Sequence, residues 1–165
     1  MELSLTELAE RERALTARLG PLRQICRSLA FSVLVWAGLI WFFVEGETFH
    51  PIPGLPRELP LSLTVAASIL VLVGSRLRSS ILRRAVPSQP GLLVSEEAVI
   101  AAYRRATLVS FALLEVAASL GLVIAGLSGS AWYGHVLCAV ALLGMLTRWP
   151  RAAELDRILR GRVRL

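Results

Sequence analysis

One acidic side chain lies inside an apolar stretch of this chain, and its carboxyl group is the first candidate for chemistry. Glu115 stands near the middle of an apolar run from Ala106 to Leu127. A carboxyl group at bilayer depth is costly unless it is neutralised, paired or exposed to a wet cavity. Such a group either binds a proton or cation reversibly or, when protonated, joins two helices through a hydrogen bond. Glu115 is therefore the central candidate site.

Hydroxyl groups on the predicted helices could serve as partners of this carboxyl group. Ser119 follows Glu115 by four residues and so shares its helix face. Ser68 comes nearest to Glu115 in predicted depth, with Ser32 and Trp36 as further candidates. We predict Glu115, Ser119 and Ser68 to form the ion- or proton-binding site or interhelical polar contact. Away from water and cations, the carboxyl group is expected to be protonated and to donate one hydrogen bond.

Four apolar segments are long enough to hold such a site in a membrane. Hydrophobic residues make up 55% of the 165 residues and charged residues 18%, which is too apolar for an ordinary soluble domain. A spanning helix needs about 17–25 mostly apolar residues. The segments that qualify are residues 28–44, 61–77, 106–127 and 131–149. The predicted fold is therefore an all-α, polytopic membrane protein with four transmembrane helices in two antiparallel hairpins.

The distribution of arginine predicts the orientation of these helices. All 18 basic residues are Arg, and the formal net charge is +6. Only Arg57 lies in the segment between the first two spans, and none lies between the last two. This asymmetry places both termini in the cytoplasm, and the absence of Lys suggests a GC-rich bacterial genome and hence the bacterial inner membrane.

The same arginine clusters bear on the partners of the protein. Basic side chains beside anionic headgroups are attracted to the membrane surface, so we expect the clusters to bind anionic lipids. Nucleic acid is not predicted as a partner, because the sequence offers no separate basic domain or groove.

The segments outside the spans are predicted to be amphipathic helices on the cytoplasmic surface. Residues 1–27 precede the four-span domain of residues 28–149, and residues 150–165 form an Arg-rich tail that reads as a second surface helix. One stripe of the first helix is apolar: Leu5, Leu8, Leu15, Leu19 and Leu22. Gly20 and Pro21 are expected to interrupt this helix before the membrane. The stripe either lies on lipid headgroups or packs against a partner subunit or a second copy of the chain.

Small and aromatic residues add detail to the predicted membrane domain. Ala117 and Gly121 form a small-xxx-small pair, which predicts a helix face buried in protein. Only three residues, 128–130, join the last two spans, so a tight antiparallel hairpin is expected. Tyr103 and Trp149 are expected at the inner membrane interface, where aromatic belts are common.

The helix around Glu115 also carries a family resemblance. The string Ala112-Leu-Leu-Glu115, followed by Gly121-Leu-Val-Ile-Ala125, resembles the carboxylate-bearing helix of the proteolipid ring subunits of rotary ATP synthases. In that family the matching Glu binds the transported proton or sodium ion, so the resemblance implies this role for Glu115. The chain departs from the family in having an extra span on each side and no repeated Gly-x-Gly pattern in its second span. As a whole it resembles small four-span membrane proteins of bacteria.

These observations favour a role without catalysis. The sequence has two His, no Ser/His/Asp arrangement, no paired carboxylates at active-site spacing and no phosphate-binding loop. We therefore predict that the protein is not an enzyme and has no cofactor or metal. The predicted function is that of a subunit or scaffold of a larger inner-membrane complex, with other membrane subunits or further copies of itself as partners. The alternatives are a proton- or cation-binding transport component that uses Glu115, and a lipid-interacting protein that shapes membranes.

Overall fold

The computed structural model describes residues 5–46, 54, 56, 58–85 and 95–160, and the regular structure in these ranges is entirely helical. The first helix, α1, runs over Leu5–Ile40 and continues into one π-helical turn at Trp41–Glu45. The remaining helices are α2 (Glu58–Ala85), α3 (Glu96–Ser128), α4 (Ala131–Thr147) and α5 (Ala152–Leu159).

Helix α3 lies at the centre of the fold. It packs against α1, α2 and α4 and also contacts α5, whereas α1 and α2 do not approach one another within the described ranges. Two contacts show that α3 and α4 are antiparallel. Gly121 of α3 adjoins Gly134 near the start of α4, whereas Ser110, earlier on α3, accepts a hydrogen bond from Arg148 at the end of α4. The result is a bundle with an open side between α1 and α2.

Two of the helices are longer than a membrane is thick. At 1.5 Å per residue, the 36 residues of α1 extend about 54 Å and the 33 residues of α3 about 50 Å, against a hydrocarbon core of about 30 Å. The two helices are parallel, since Arg18 in the fourth turn of α1 pairs with Glu96 in the first turn of α3, and Ser32 pairs with Glu115 farther along both helices. Their polar N-terminal turns therefore project together at one end of the bundle.

Proline does not end the first helix, contrary to the sequence prediction. Helix α1 continues through Gly20 and Pro21 without a break in its assignment. Pro21 cannot donate a backbone hydrogen bond, and its ring crowds the preceding turn of the helix. Arg104 of α3 donates a hydrogen bond to the carbonyl oxygen of Arg18 in that turn, so tertiary contact supports the helix where its own ladder is weakened.

The exterior of the bundle is apolar where the sequence predicts spans. Except for Ile25 and Leu59, every large exposed hydrophobic side chain of the described residues falls within the four predicted segments. Three helices are long and apolar enough to cross a membrane, and α4 with α5 would supply a fourth if this pair, bent by 55°, is taken as one span. These features support a multi-pass membrane protein.

The leucine stripe of α1 packs inside the chain, which corrects both interpretations drawn from the sequence. Leu15, Leu19 and Leu22 are buried in the same core as Leu155 and Ile158 of α5. These three leucines are therefore covered by the protein itself, and not by lipid or by a partner. Leu8 is half-buried at the edge of the same contact, and the side chain of Leu5 lies outside the described residues.

The small residues of α3 let α4 approach closely, as the sequence predicts. Ala117 and Gly121 are buried, and a Cβ atom added to Gly134 of α4 would lie 2.8 Å from the carbonyl oxygen of Gly121. The same atom would lie 2.7 Å from Cδ1 of Ile40 on α1. Helices α1, α3 and α4 thus meet at Gly134, where there is room only for the hydrogen atom of a glycine side chain. The linker ends α3 with Gly129 at φ 64°, a left-handed conformation that glycine adopts without strain.

We expect Gly134→Ala to destabilise the protein, because the added methyl group meets backbone and cannot be accommodated by a side-chain rotation. Overpacking of this kind costs about 1–3 kcal/mol. Thermal unfolding of the purified protein in a neutral detergent measures the change. Gly38→Ala is the matched control, since nothing lies within 4 Å of its added Cβ. That substitution should leave the melting temperature unchanged or raise it, and an equal loss in both variants would contradict the close contact.

Candidate functional site: a carboxyl–hydroxyl pair on the central helix

The carboxyl group of Glu115 contacts the first helix. Oγ of Ser32 lies 2.7 Å from Oε1 of Glu115, which joins α1 to α3 inside the predicted membrane segments. Helix geometry creates this pair, since α1 and α3 run parallel and the two residues occupy facing positions. Glu115 itself is half-buried, so the carboxyl group stands at the margin of the helix contact and not deep within it.

The hydroxyl group of Ser32 lies close to two acceptor oxygens. Oγ of Ser32 also lies 2.8 Å from the carbonyl oxygen of Leu29. A serine hydroxyl has one hydrogen to donate, so an ionised Glu115 and the Leu29 carbonyl would compete for it. If Glu115 carries a proton, it donates to Ser32, which in turn donates to Leu29, and both short contacts become hydrogen bonds.

The other sequence-predicted partners lie elsewhere. The hydroxyl of Ser68 donates to the carbonyl of Thr64, and that of Ser119 donates to the carbonyl of Val116, each within its own helix. Nε1 of Trp36 is buried without a hydrogen-bond partner. Of the candidates considered from the sequence, Ser32 is therefore the one that the described structure brings to Glu115.

A stripe of small residues borders Glu115 on the open side of the bundle. Ala112, Val116 and Val123 are exposed and Ser119 is half-buried, and the four follow one another at steps of four, three and four residues. We call these four residues the α3 stripe. They lie on one helical face that neither α1 nor α2 covers, and Glu115 sits at the edge of this face next to α1.

A second polar cluster, which the sequence did not predict, lies at the end of the bundle where α5 folds back. Glu154 of α5 forms an ion pair with Arg78 of α2 at 2.7 Å and accepts a hydrogen bond from the hydroxyl of Tyr103 at 2.9 Å. Tyr103, expected at the lipid interface, is instead fully buried. Its hydroxyl oxygen accepts a hydrogen bond from the backbone N–H of Arg151 at 3.3 Å.

Further polar contacts fix the same region to the other helices. Arg148 donates to the hydroxyl of Ser110 on α3 at 2.8 Å. Nε of Arg23 on α1 donates to the carbonyl of Pro150 at 3.1 Å. Arg11 pairs with Asp156 at 2.8 Å. These hydrogen bonds and ion pairs hold α5 against the other helices, so we assign the cluster a structural role.

Metal coordination and similarity to known proteins give no further guide to the site. Among the residues that the structure describes, no three side chains of His, Cys, Asp and Glu come together in a way that could hold a metal ion. No protein-family model, curated protein or solved structure matches the chain. The Glu115–Ser32 pair and the α3 stripe are therefore the features of the molecule that bear on its function.

A double-mutant cycle should reveal the bond between Glu115 and Ser32. Glu115→Leu and Ser32→Ala each remove the same hydrogen bond, so their combined effect on the free energy of unfolding should be smaller than the sum of the two. Interhelical hydrogen bonds in membranes contribute about 0.6 kcal/mol on average and up to about 1.7 kcal/mol. Unfolding in mixed micelles of a neutral and a denaturing detergent provides the measurement.

Ser68→Ala is the control for this cycle. Its hydroxyl is bonded within α2, so its effect should add to that of Glu115→Leu without coupling. Glu115→Gln keeps a hydrogen-bond donor and should preserve most of the stability. Strict additivity between the Glu115 and Ser32 substitutions would contradict the pair.

Proposed function

We propose that this protein is a non-catalytic subunit or scaffold of a larger membrane complex, and that the α3 stripe is where a transmembrane helix of another subunit packs. The observation that carries the proposal is the combination of a half-buried carboxyl group and a stripe of small side chains on the same open side of the bundle. The proposal includes no cofactor and no catalytic residue.

The size and spacing of the stripe residues suit a helix partner. Association of helices in a membrane depends on close packing, which small residues permit. No member of the α3 stripe is larger than Val, and the steps of four, three and four residues match those of a helix–helix seam. The exposed face of α4 differs, because it carries large side chains, among them Trp132, Leu143 and Leu146, which suit contact with lipid chains.

The state of Glu115 also supports a partner. One of its oxygens is paired with Ser32, while its half-exposed position leaves the carboxyl group facing the open side of the bundle. Polar groups that remain in hydrocarbon without a partner are costly. A neighbouring helix packed on the α3 stripe would exclude lipid from this carboxyl group and could offer it a second hydrogen bond.

The topology of the proposal follows from charge and hydropathy. Four spans are proposed, with α4, whose 17 residues extend about 25 Å, completing the second hairpin. Because arginine is concentrated at one end of the bundle, both termini are placed in the cytoplasm of a bacterial cell, with the spans in its inner membrane.

Ala112→Leu should disrupt the complex while leaving the isolated protein folded. Ala112 is exposed on the α3 stripe, so a larger side chain interferes with a docked helix and with nothing inside the chain. The complex extracted in mild detergent should decrease in mass, as measured by size-exclusion chromatography with light scattering. The melting temperature of the purified protein should stay the same.

Ala139→Leu is the matched control for the stripe. Ala139 is exposed on α4, and the same enlargement there should leave the complex intact. An unchanged complex in the Ala112 variant would refute the docking site. A complex that contains copies of this chain alone would replace the heteromeric assignment with a homo-oligomer.

A second function, reversible binding of a proton or cation, is favoured by the accessible position of Glu115. The resemblance of the helix around Glu115 to the carboxylate-bearing helix of proteolipid ring subunits implies the same role. In that case the carboxyl group cycles between charged and neutral forms, and Ser32 is one of its ligands. Interhelical packing and ion binding lead to opposite expectations for the conservative Gln substitution.

Glu115→Gln distinguishes the two functions. If the carboxyl group serves only in packing, the variant should support assembly and activity of the complex, because it retains a donor and an acceptor of similar shape. If the group exchanges an ion, the variant should assemble normally and lose activity. Reaction of wild-type protein with a hydrophobic carbodiimide, followed by mass spectrometry, gives an independent readout. Labelling at Glu115 that the transported cation suppresses supports ion binding, and cation-independent labelling argues against it.

A membrane-shaping function is less well supported. That alternative requires the terminal helices to lie on the lipid surface with their apolar faces inserted. The buried apolar residues of α1 and α5 instead belong to one core, so that within the described residues neither the part of α1 before the predicted span nor α5 presents a large apolar face to lipid.

A further inference from the structure

The last turns of α2 form an exposed polar groove that the proposed function does not use. It has a volume of about 560 Å³. Its lining is restricted to serine and arginine: Ser75, Arg76, Ser79, Ser80, Arg83 and Arg84. The six residues fall into two adjacent rows along the helix, each with a spacing of four residues. We call this surface the α2 groove.

The arginines of the α2 groove are not paired with acidic side chains of the residues that the structure describes. Elsewhere, Arg11, Arg18 and Arg78 form ion pairs with acidic side chains. Within the described part of the chain, Arg76, Arg83 and Arg84 form none. Three positive charges therefore stand within about 12 Å along one helix, as given by eight steps of 1.5 Å, and repel one another unless an anion lies between them.

Stabilisation of the helix terminus accounts for only part of this pattern. Arg83 and Arg84 occupy the last turn of α2, where basic residues interact favourably with the negative end of the helix dipole. Arg76 lies two turns earlier, beyond the range of that effect. The helix dipole also does not explain the serines. Their short side chains leave space between the guanidinium groups.

The depth of the α2 groove matches that of lipid phosphate. It begins at the end of the predicted span of residues 61–77 and continues for about two turns outward. The headgroup region adds roughly 5–8 Å on each side of the hydrocarbon core, and arginine side chains can reach back toward it. The groove is therefore at the level where phosphate groups lie.

The side chains of the α2 groove have the chemistry that binds phosphate. Guanidinium groups donate paired hydrogen bonds to phosphate oxygens. The hydroxyls of Ser75 and Ser79 donate to the carbonyls of Leu72 and Ser75 within the helix. A rotation about χ1 would redirect either hydroxyl toward a ligand in the groove, since such local bonds are weak competitors.

We propose that the α2 groove is a binding site for the phosphate of an anionic lipid headgroup. Arg76 and Arg83, two turns apart, bind the phosphate oxygens, and Ser79 between them donates a further hydrogen bond. The site does not depend on the α3 stripe, which lies on a different helix.

The test measures ligand-dependent thermal stability of the whole protein in neutral detergent at constant ionic strength. A ligand that binds the native state raises the melting temperature. The micelles are titrated with phosphatidylglycerol, with phosphatidylcholine, or with inorganic phosphate in the buffer. Phosphatidylglycerol should stabilise the wild-type protein more than either other addition. The triple variant Arg76→Gln/Arg83→Gln/Arg84→Gln should bind it about a hundredfold more weakly, from about 1 kcal/mol per Arg.

A second triple variant separates a site from general charge attraction. Arg13→Gln/Arg105→Gln/Arg157→Gln removes the same charge from exposed positions on α1, α3 and α5, and it should bind the lipid nearly as well as wild type. Equal weakening by the two triple variants would overturn the proposal. Stabilisation by inorganic phosphate without any by phosphatidylglycerol would overturn the lipid assignment. Ser75→Ala/Ser79→Ala, which keeps every charge, should weaken lipid binding severalfold, and unchanged binding would exclude the serines from the site.

Discussion

The backbones of α3 and α4 touch at Gly121 and Gly134, and the positions of the other helices depend on this contact. Because Gly134 has no side chain, Ile40 of α1 fills the adjoining space, so α1 is positioned by the hairpin of α3 and α4. Helix α2 then packs on another face of α3 at Gly74 and Leu113. With α1 and α2 placed on separate faces, the remaining face of α3 stays uncovered, and Glu115 lies at its edge. The candidate site thus results from packing that occurs elsewhere in the bundle.

The polar end of the molecule follows a different physical rule. In the apolar bundle, contacts depend on shape, whereas the fold-back of α5 depends on hydrogen bonds and ion pairs to several other helices. Tyr103 and Glu154 illustrate this, since each contacts two different elements. Tyr103 bonds to α5 and to the α4–α5 connection, and Glu154 bonds to α2 and α3. Such networks are stabilising when their members are satisfied and costly when one is missing. Leu155 and Ile158 add the apolar contact with α1 that makes the arrangement compact.

Sequence patterns predicted the parts of this structure that depend on local composition. The apolar segments and the buried face at Ala117 and Gly121 could be recognised because each reflects the composition or the period of a single helix. The pairing of Glu115 with Ser32 could not be derived, since it depends on the relative shift of two long helices, and an error of one turn changes the partner. Pro21 was misjudged for a related reason, because the contact with Arg104 that supports the helix comes from a residue more than 80 positions away. The burial of the leucine stripe likewise requires α5. This helix has too few apolar residues for the sequence to predict that it packs against α1.

The contact between α1 and α5 has a consequence for biosynthesis. Leu15 lies in the same core cluster as Leu155 and Ile158, which are synthesised at least 140 residues later. At a synthesis rate of about 5–20 residues per second, the leucine stripe remains uncovered for roughly 7–30 s while the chain between them is made. During that interval the first turns of the nascent α1 present an apolar surface that α5 does not yet cover. Chaperones and the lipid surface have access to this surface only until α5 has been made and packs against α1.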